Sequence, residues 1–420
     1  MFLTESRSQS PPELPPLLAD PIPSSTHRRL LLRRLLLACL AFTVALAGCN
    51  SSHFPHYPSN YREYAYVTNS GSNTVTALDL VNLRQDRIMA VGSNPTGIAV
   101  NPKKNEVYAV NTGSGTVSVI DATRNRVVAT ITVHRKPYFI SVNASGTLAY
   151  VANSGSNNIS VLDLDTRREI RTIPVGHGPG LAIISPDGNT IVVTNRISGS
   201  VSIIDAKSYL TRAVFSGCTQ ATDVVILPNS TKAFVACSGS HQVMAIGLAQ
   251  PQNPNQTLHS DRLLTFLDVG KSPIHLALKP DGGEIFVSNF DSDSISEINT
   301  YTNEVGGAYL VGAHPAFGIV SADNSLLWIS NFNADTIGIY SIDDGTLIKP
   351  SIHVGAGPDS LAFSADGFFL LAVDAQSGDV SVIRTQSHNA SGAVRIGSLF
   401  TMLPAGNNPS DIAVKAFWIK

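Results

Sequence analysis

The tetrapeptide Tyr66-Val-Thr-Asn69 returns in altered form about every 42 residues along the chain, and a period of that length leaves few folds open. Counted from Asn69, the equivalent places are Asn111, Asn153, Asn195, Cys237, Asn289, Asn331 and Asp374, at intervals of 42, 42, 42, 42, 52, 42 and 43 residues. Ten residues beyond each anchor the chain reaches Asp79, Asp121, Asp163, Asp205, Gly247, Asn299, Ser341 and Arg384, so the register persists where identity drifts. The second unit shows the internal plan. Pro95-Thr-Gly-Ile-Ala-Val, Glu106-Val-Tyr-Ala-Val-Asn111, Thr116-Val-Ser-Val-Ile-Asp121 and Val127-Val-Ala-Thr-Ile-Thr-Val133 are short β-branched runs separated by Gly, Asn, Pro and Ser. They carry no sustained 3.6-residue apolar pattern and read as strands. Four strands per unit at this period predict an all-β β-propeller.

The ends predict how the ring closes. Sixteen residues before each later anchor stands Pro95, Pro137, Pro179, Ala221, Pro273, Pro315 or Pro358, at the head of an Ile-Ala-Val-like strand. Asn69 has no such strand before it, because Ser51-Ser-His-Phe-Pro-His-Tyr-Pro58 offers none. At the other terminus Pro409-Ser-Asp-Ile-Ala-Val-Lys415 begins a ninth unit that stops before its anchor. Pairing Asp411 to Lys415 with the strand begun at Tyr64 completes the first blade and removes two open edges. Eight blades are expected; seven blades with an unpaired segment at 411–415 is the alternative.

Tyr66-Val-Thr-Asn69, Tyr150-Val-Ala-Asn153, Val192-Val-Thr-Asn195, Val201-Ser-Ile-Ile-Asp205 and the turns Ser185-Pro-Asp-Gly188 and Lys279-Pro-Asp-Gly282 resemble the YVTN family of β-propeller repeat proteins. That family is found on bacterial and archaeal surfaces, and the resemblance covers residues 64–420. It implies a scaffold and assigns no activity, since fold does not determine function. Cys237 and Asp374 depart from the Asn pattern and mark blades five and eight for roles beyond scaffold.

Arg28, Arg29, Arg33 and Arg34 precede an apolar run from Leu35 to Leu46, the pattern of an export signal. The run is shorter than the roughly 20 residues of a membrane span. It ends in Leu46-Ala-Gly-Cys49, which resembles the bacterial lipoprotein cleavage box and implies Cys49 as the lipidated first residue of the mature chain. Residues 1–48 are thus expected to be a signal peptide with an N-terminal extension, 49–63 a linker, and 64–420 a single propeller domain. Asn50, by resemblance to Gram-negative lipoproteins, implies sorting toward the outer membrane. The expected location is the bacterial cell envelope, periplasmic or outer membrane, with the membrane as partner through the lipid.

Charged residues are 14% of the chain and the net charge is -2, with no Lys/Arg cluster outside the signal, which argues against nucleic acid. Of four cysteines, Cys39 lies in the signal and Cys49 is the lipid site, leaving Cys218 and Cys237. Cys218 falls just before an inner strand and Cys237 just after the next, so antiparallel neighbours bring both to one face. An exported protein meets an oxidising compartment, and a disulfide is expected; two free thiols are the alternative.

The loops entering the inner strands read Val91-Gly-Ser-Asn-Pro, Val133-His-Arg-Lys-Pro, Val175-Gly-His-Gly-Pro, Val269-Gly-Lys-Ser-Pro, Val311-Gly-Ala-His-Pro and Val354-Gly-Ala-Gly-Pro. His134, Arg135, His177, Lys271 and His314 are therefore expected at equivalent positions near the channel mouth, as ligand-binding candidates for an anionic or metal-bearing small molecule. The plain alternative is a solvated loop tip that tolerates any polar residue. His275 and His353 fall within strand segments and read as structural. Asn69, Asn111, Asn153, Asn195, Asn289 and Asn331 read as structural turn residues, since Asn bonds nearby backbone and accepts left-handed geometry. Asp291-Ser-Asp-Ser lacks the spaced Gly and distal Glu of a calcium loop, and no metal site is expected. Two insertions, Pro251-Gln-Asn-Pro-Asn-Gln-Thr and Gln386-Ser-His-Asn-Ala-Ser-Gly, are expected on the opposite face as candidate partner contacts.

Three functions remain open. One is a non-enzymatic binding or scaffold protein at the cell envelope, taking an unknown protein, glycan or small molecule, with no cofactor. A second is lactone hydrolysis, because 6-phosphogluconolactonase propellers resemble this repeat; those have seven blades and are usually not lipidated. A third is a d1-type haem in the channel, by resemblance to eight-bladed nitrite reductase propellers, with His134, His177 or His314 as ligand. The chain carries no Cys-x-x-Cys-His, Gly-x-Ser-x-Gly or His-Glu-x-x-His.

Overall fold

The computed structural model describes residues 54–250, 260–388 and 394–419. The signal, Cys49 and most of both insertions lie outside the described residues. The chain divides into Met1–His56 and Tyr57–Lys420, and the fold below is that of the second unit.

Its described residues form 32 strands, numbered β1 to β32 in chain order, arranged as eight four-stranded antiparallel sheets. Seven sheets use four consecutive strands; in the eighth the order is β3-β2-β1-β32. There β1 (Tyr61–Asn69) pairs with β32 (Pro409–Trp418), with Ala65 opposite Val414 and Val67 opposite Ile412. The closing strand is longer than the expected 411–415, because its pairing extends to Trp418 opposite Tyr61. The blades are numbered from this one. Their inner strands, β32 and then Pro95–Val100, Pro137–Val142, Pro179–Ile184, Ala221–Ile226, Pro273–Leu278, Pro315–Val320 and Pro358–Phe363, touch in sequence, and the last returns to β32. This is an eight-bladed β-propeller.

Packing explains why the ring holds. The second and third strands of each blade are buried on both faces, as in Glu106–Asn111 and Thr116–Asp121, which suits continuous runs such as Val107-Tyr-Ala-Val110. Outer strands alternate toward solvent, as in Arg168–Pro174. Apolar side chains collect into eight clusters, each bridging two neighbouring blades. One joins blades eight and one through Leu371, Val373, Val380, Val67, Leu78 and Ile412. Another joins blades two and three through Tyr108, Val110, Val117, Ile140 and Val151. At about 25 cal/mol per Å² of apolar area removed from water, no blade has anywhere to hide its faces except against its neighbours. Lys415 Nζ donates to the Asn101 carbonyl at 2.6 Å, tying blade one to blade two beneath the apolar layer.

Cys218 and Cys237 are disulfide-bonded, with Cα atoms 4.7 Å apart and both side chains fully buried. The bond joins the approach to the inner strand of blade five to the end of its second strand. Closing a loop of this length is worth about 3 kcal/mol. The Cys218→Ser/Cys237→Ser double variant is therefore expected to remain folded and lose about 2–4 kcal/mol, read from the urea midpoint.

Candidate functional site

In each blade the loop that enters the inner strand lies directly on the anchor at the end of the second strand. A methyl group built on Gly92, Gly176, Gly270, Gly312, Gly355 or Gly406 would come within 2.7 Å of Asn111, Asn195, Asn289, Asn331, Asp374 and Asn69 respectively. These glycines are required by contact. Each lies 19 residues before its anchor, except Gly406, which reaches Asn69 only because the ring closes. The two remaining blades break the pair in different ways. Cys218 and Cys237, separated by 19, turn the contact into a covalent bond. In blade three His134 replaces the glycine above Asn153.

The anchor asparagines are structural by a route other than the turn geometry expected of them. None of the six has a positive φ. Each is a buried strand end whose Nδ2 reaches side chains five and, in most blades, seven residues on. Asn69 Nδ2 donates to Thr74 Oγ1 at 3.1 Å and Thr76 Oγ1 at 2.9 Å, and Asn111 Nδ2 to Thr116 Oγ1 and Ser118 Oγ, both at 3.0 Å. The place suits a neutral amide donor, and its Oδ1 is buried without a hydrogen-bond partner in all six.

Asp374 puts a carboxyl into that amide niche. Ser381 Oγ donates to it at 2.7 Å and the Ser381 amide at 3.1 Å. Five residues on, where other blades carry a hydroxyl or amide, stands Asp379. Burial, reinforced by the Asp379 charge and hydrogen bond, pushes the Asp374 carboxyl up to about 8, outweighing the donors from Ser381 and the Gly355 amide. The carboxyl therefore fills the niche with the hydrogen bonds reversed at Ser381, which donates where the other blades' hydroxyls accept.

Of the five loop residues singled out from the sequence, the structure brings two together. His134 and Arg135 line a cleft of about 780 Å³ between blades two and three, with Thr112, Ser114, Thr132 and Lys136. His134 Nε2 lies 3.1 Å from Glu169 Oε1 and 3.2 Å from Thr172 Oγ1 on the outer strand of blade three. The Arg135 amide donates to Ser156 Oγ at 3.0 Å, and its Nη2 to the Gly155 carbonyl at 3.0 Å. Lys136 adopts φ 50°, at a place where blade two has Asn94 and blade four Gly178. The five do not share one equivalent position. His134 occupies the first place of its loop, Arg135, His177 and Lys271 the second, and His314 the third. They also face different junctions. His177 Nδ1 is 3.0 Å from Asn157 Nδ2; His314 Nδ1 is 3.0 Å from Asn333 Nδ2, with its ring against Phe290. The Lys271 amide donates to Ser292 Oγ at 3.0 Å.

The channel wall holds residues that the repeat pattern did not single out. At the third place of three inner strands stand Asp223, His275 and Asp411, where others carry Gly97, Phe139 or Leu181. Asp223 Oδ2 accepts from the Leu276 amide of the next blade at 2.8 Å and from His275 Nδ1 at 2.9 Å. Burial raises the Asp223 carboxyl, but His275 and the backbone donors outweigh it and hold it below the usual range. Asp411 Oδ2 likewise accepts from the Ile98 amide of the next blade at 3.0 Å. Burial, with the Asp359 charge adding, pushes Asp411 up to about 7 against the Ile98 and Ile412 amides. Both carboxylates staple neighbouring blades. Their signal in the sequence was an acid two residues after the proline position of the unit.

His275, the one histidine of the inner strands, has both ring nitrogens engaged: Nδ1 with Asp223, and Nε2 with the Gly318 carbonyl at 2.9 Å. It also stacks on Phe317 at 3.7 Å. His134, His177 and His314 lie at three separate blade junctions. Among the described residues no three His, Cys, Asp or Glu side chains group as a metal site.

No protein-family profile matches the chain, and no curated relative does. Many solved structures share its fold. The dihydro-haem d1 dehydrogenase NirN, in complex with DHE, is similar with a TM-score of 0.65 at 17% identity, covering 86% of this chain and 76% of NirN. Kuenenia stuttgartiensis hydrazine synthase is similar with a TM-score of 0.51 at 20% identity, covering 66% of this chain and 91% of that one. A candidate 6-phosphogluconolactonase from Bacteroides fragilis gives a TM-score of 0.54 at 16% identity, covering 72% and 97%. At these identities the likeness is one of fold.

The Asp374 carboxyl makes a signed prediction. Its folded value near 8 lies above the ordinary value of 3.8, so between those limits the folded state holds a proton that the unfolded state has released. Stability then falls as pH rises from about 4 to about 8, and this group adds no further slope above that. Asp374→Asn is expected to flatten the decline, raising the thermal midpoint at pH 8.5 and changing it little at pH 5.

Proposed function

We propose that this chain is a lipid-anchored propeller of the YVTN type in the bacterial cell envelope, and that it binds an anionic small molecule or glycan terminus without transforming it. The observation that carries the reading is the cleft between blades two and three. There His134, Arg135 and Lys136 stand side by side, whereas the other inner-strand loops contribute at most one His, Lys or Arg each. Polar hydroxyls of Thr112, Ser114 and Thr132 share the cleft, as expected of a site for a hydroxylated acid. Arg135 offers a planar fork for carboxylate or phosphate, and Lys136 a point charge.

Calorimetric titration with glucuronate and with inorganic phosphate tests this. Binding of either is expected to weaken as salt rises and to weaken about tenfold or more in Arg135→Ala/Lys136→Ala, equivalent to about 1.4 kcal/mol. Affinity unchanged in that variant would contradict the site.

One observation favours lactone hydrolysis as the second reading. The His134–Glu169 pair, 3.1 Å apart, places an imidazole held by a carboxylate beside the cationic loop. On that reading the protein turns over a phosphorylated sugar lactone, and His134→Ala loses the turnover while keeping the binding. Binding without turnover supports the first reading.

A further inference from the structure

We propose that the face where the chain enters β1 and leaves β32 rests on a lipid surface through Tyr57, Tyr61 and Trp418, which holds the cationic cleft away from the bilayer. This rests on the lipidation of Cys49 proposed above.

The antiparallel pairing of β1 and β32 brings the two ends of the propeller to one place. Tyr61 opens β1 opposite Trp418, which closes β32, and the Ile419 amide donates to the Asn60 carbonyl at 2.8 Å. Three aromatic rings gather there. Tyr57 stacks on Tyr61 with centroids 5.1 Å apart, and Trp418 meets Tyr61 edge-on at 5.1 Å. The phenols are tied down: Tyr57 Oη donates to Asp366 Oδ2 at 2.7 Å, and Tyr61 Oη to Glu63 Oε2 at 2.8 Å. Trp418 is not packed away, with 59% of its surface exposed. A rigid aromatic group with an apolar body and polar tips is the chemistry favoured at the boundary between headgroups and hydrocarbon.

Chain length says what covers this group. Tyr57 is eight residues after Cys49. Whatever course the chain takes between them, it spans at most about 28 Å. β1 alone, at nine residues, covers about 30 Å along its strand. It runs from this face to Asn69, on the face that bears the loops of the cleft. A lipid on Cys49 therefore keeps Tyr57 within about one strand length of the bilayer, and seating of the aromatic group there turns the cleft to the opposite side. Cleft and channel mouth open toward solvent, where a diffusing anion can reach them.

The chain has two tryptophans, and Trp328 is 1% exposed, so emission sensitive to an external quencher reports Trp418. The full lipidated chain is placed in vesicles of equal parts phosphatidylethanolamine and phosphatidylglycerol, doped with a headgroup-spin-labelled phosphatidylcholine. Trp418 emission is expected to fall about twofold, as for an aromatic at headgroup depth. Trp418→Phe is expected to abolish the effect. Moving the reporter to the cleft face with Trp418→Phe/Ser93→Trp is expected to leave it unquenched. Intact mass separates the two layers of the inference. An unmodified Cys49 overturns the anchoring and this placement with it. A lipidated chain whose Trp418 is unquenched, or whose Ser93→Trp reporter is quenched instead, overturns the placement alone.

Discussion

Everything in this molecule depends on the pairing of β32 with β1. A strand from the last residues of the chain completes a blade begun by the first residues of the domain, and it is also the inner strand of that blade. Its outward partner is β1; its neighbours around the channel are the inner strands of blades two and eight. Removing it would leave the Leu371 to Val382 surface of blade eight and the Tyr66 to Met89 surface of blade one without complete partners. Among the described residues the closing contacts span the longest sequence separation, Tyr61 lying opposite Trp418. Their loop-closure cost grows only slowly with length, whereas the buried area they complete is that of a whole blade interface. Closure also creates the contact of Gly406 with Asn69, so blade one acquires the same internal geometry as the blades formed from continuous sequence.

A second regularity is that the loop entering each inner strand lies on the anchor, in most blades through the residue 19 before it. Where the pair is Gly and Asn, the contact is tight and neutral. Where the pair is Cys218 and Cys237 it becomes covalent, and where Asp replaces Asn beneath Gly355 it places a buried carboxyl whose burial favours the protonated form. Where His134 stands above Asn153, the side chain turns to the outer strand of blade three and helps to line a cleft that gathers several cations. Departures from the repeat thus come as changes to one contact, and each changes the chemistry of a single blade.

The architecture was legible in the sequence because period, proline position and anchor are all set by backbone geometry that every blade must satisfy. Pro95, Asn111 and Asp121 stand at places that every blade must fill, so their spacing exposes the strands and the incomplete terminal unit even where identity drifts. The site was legible only in part. His134 and Arg135 stood out as titratable residues in a loop of fixed length, but where each side chain points depends on Glu169, Thr172 and Gly155, which lie much farther along the sequence in the same blade. Lys136 was not among the candidates, and the cleft adds it. His275 read as structural, as it is, but its pairing with Asp223 and the role of Asp411 between blades were not legible, because a residue lining the channel is set by its partner one blade away, as Leu276 is for Asp223 and Ile98 for Asp411. Isolated units reveal the strands; only the ring reveals the neighbours.

Amide hydrogen exchange of the intact chain, resolved along the sequence, tests the closure most directly. The account predicts that Ala65, Val67, Ile412 and Val414 exchange as slowly as Val192 and Val193 in the second strand of blade four, and that all are released together in one global opening. Exchange of the segment from Pro409 to Trp418 much faster than that of the other inner strands, with the remaining blades still protected, would contradict it. The last unit would then be an appendage, and the ring would hold without it.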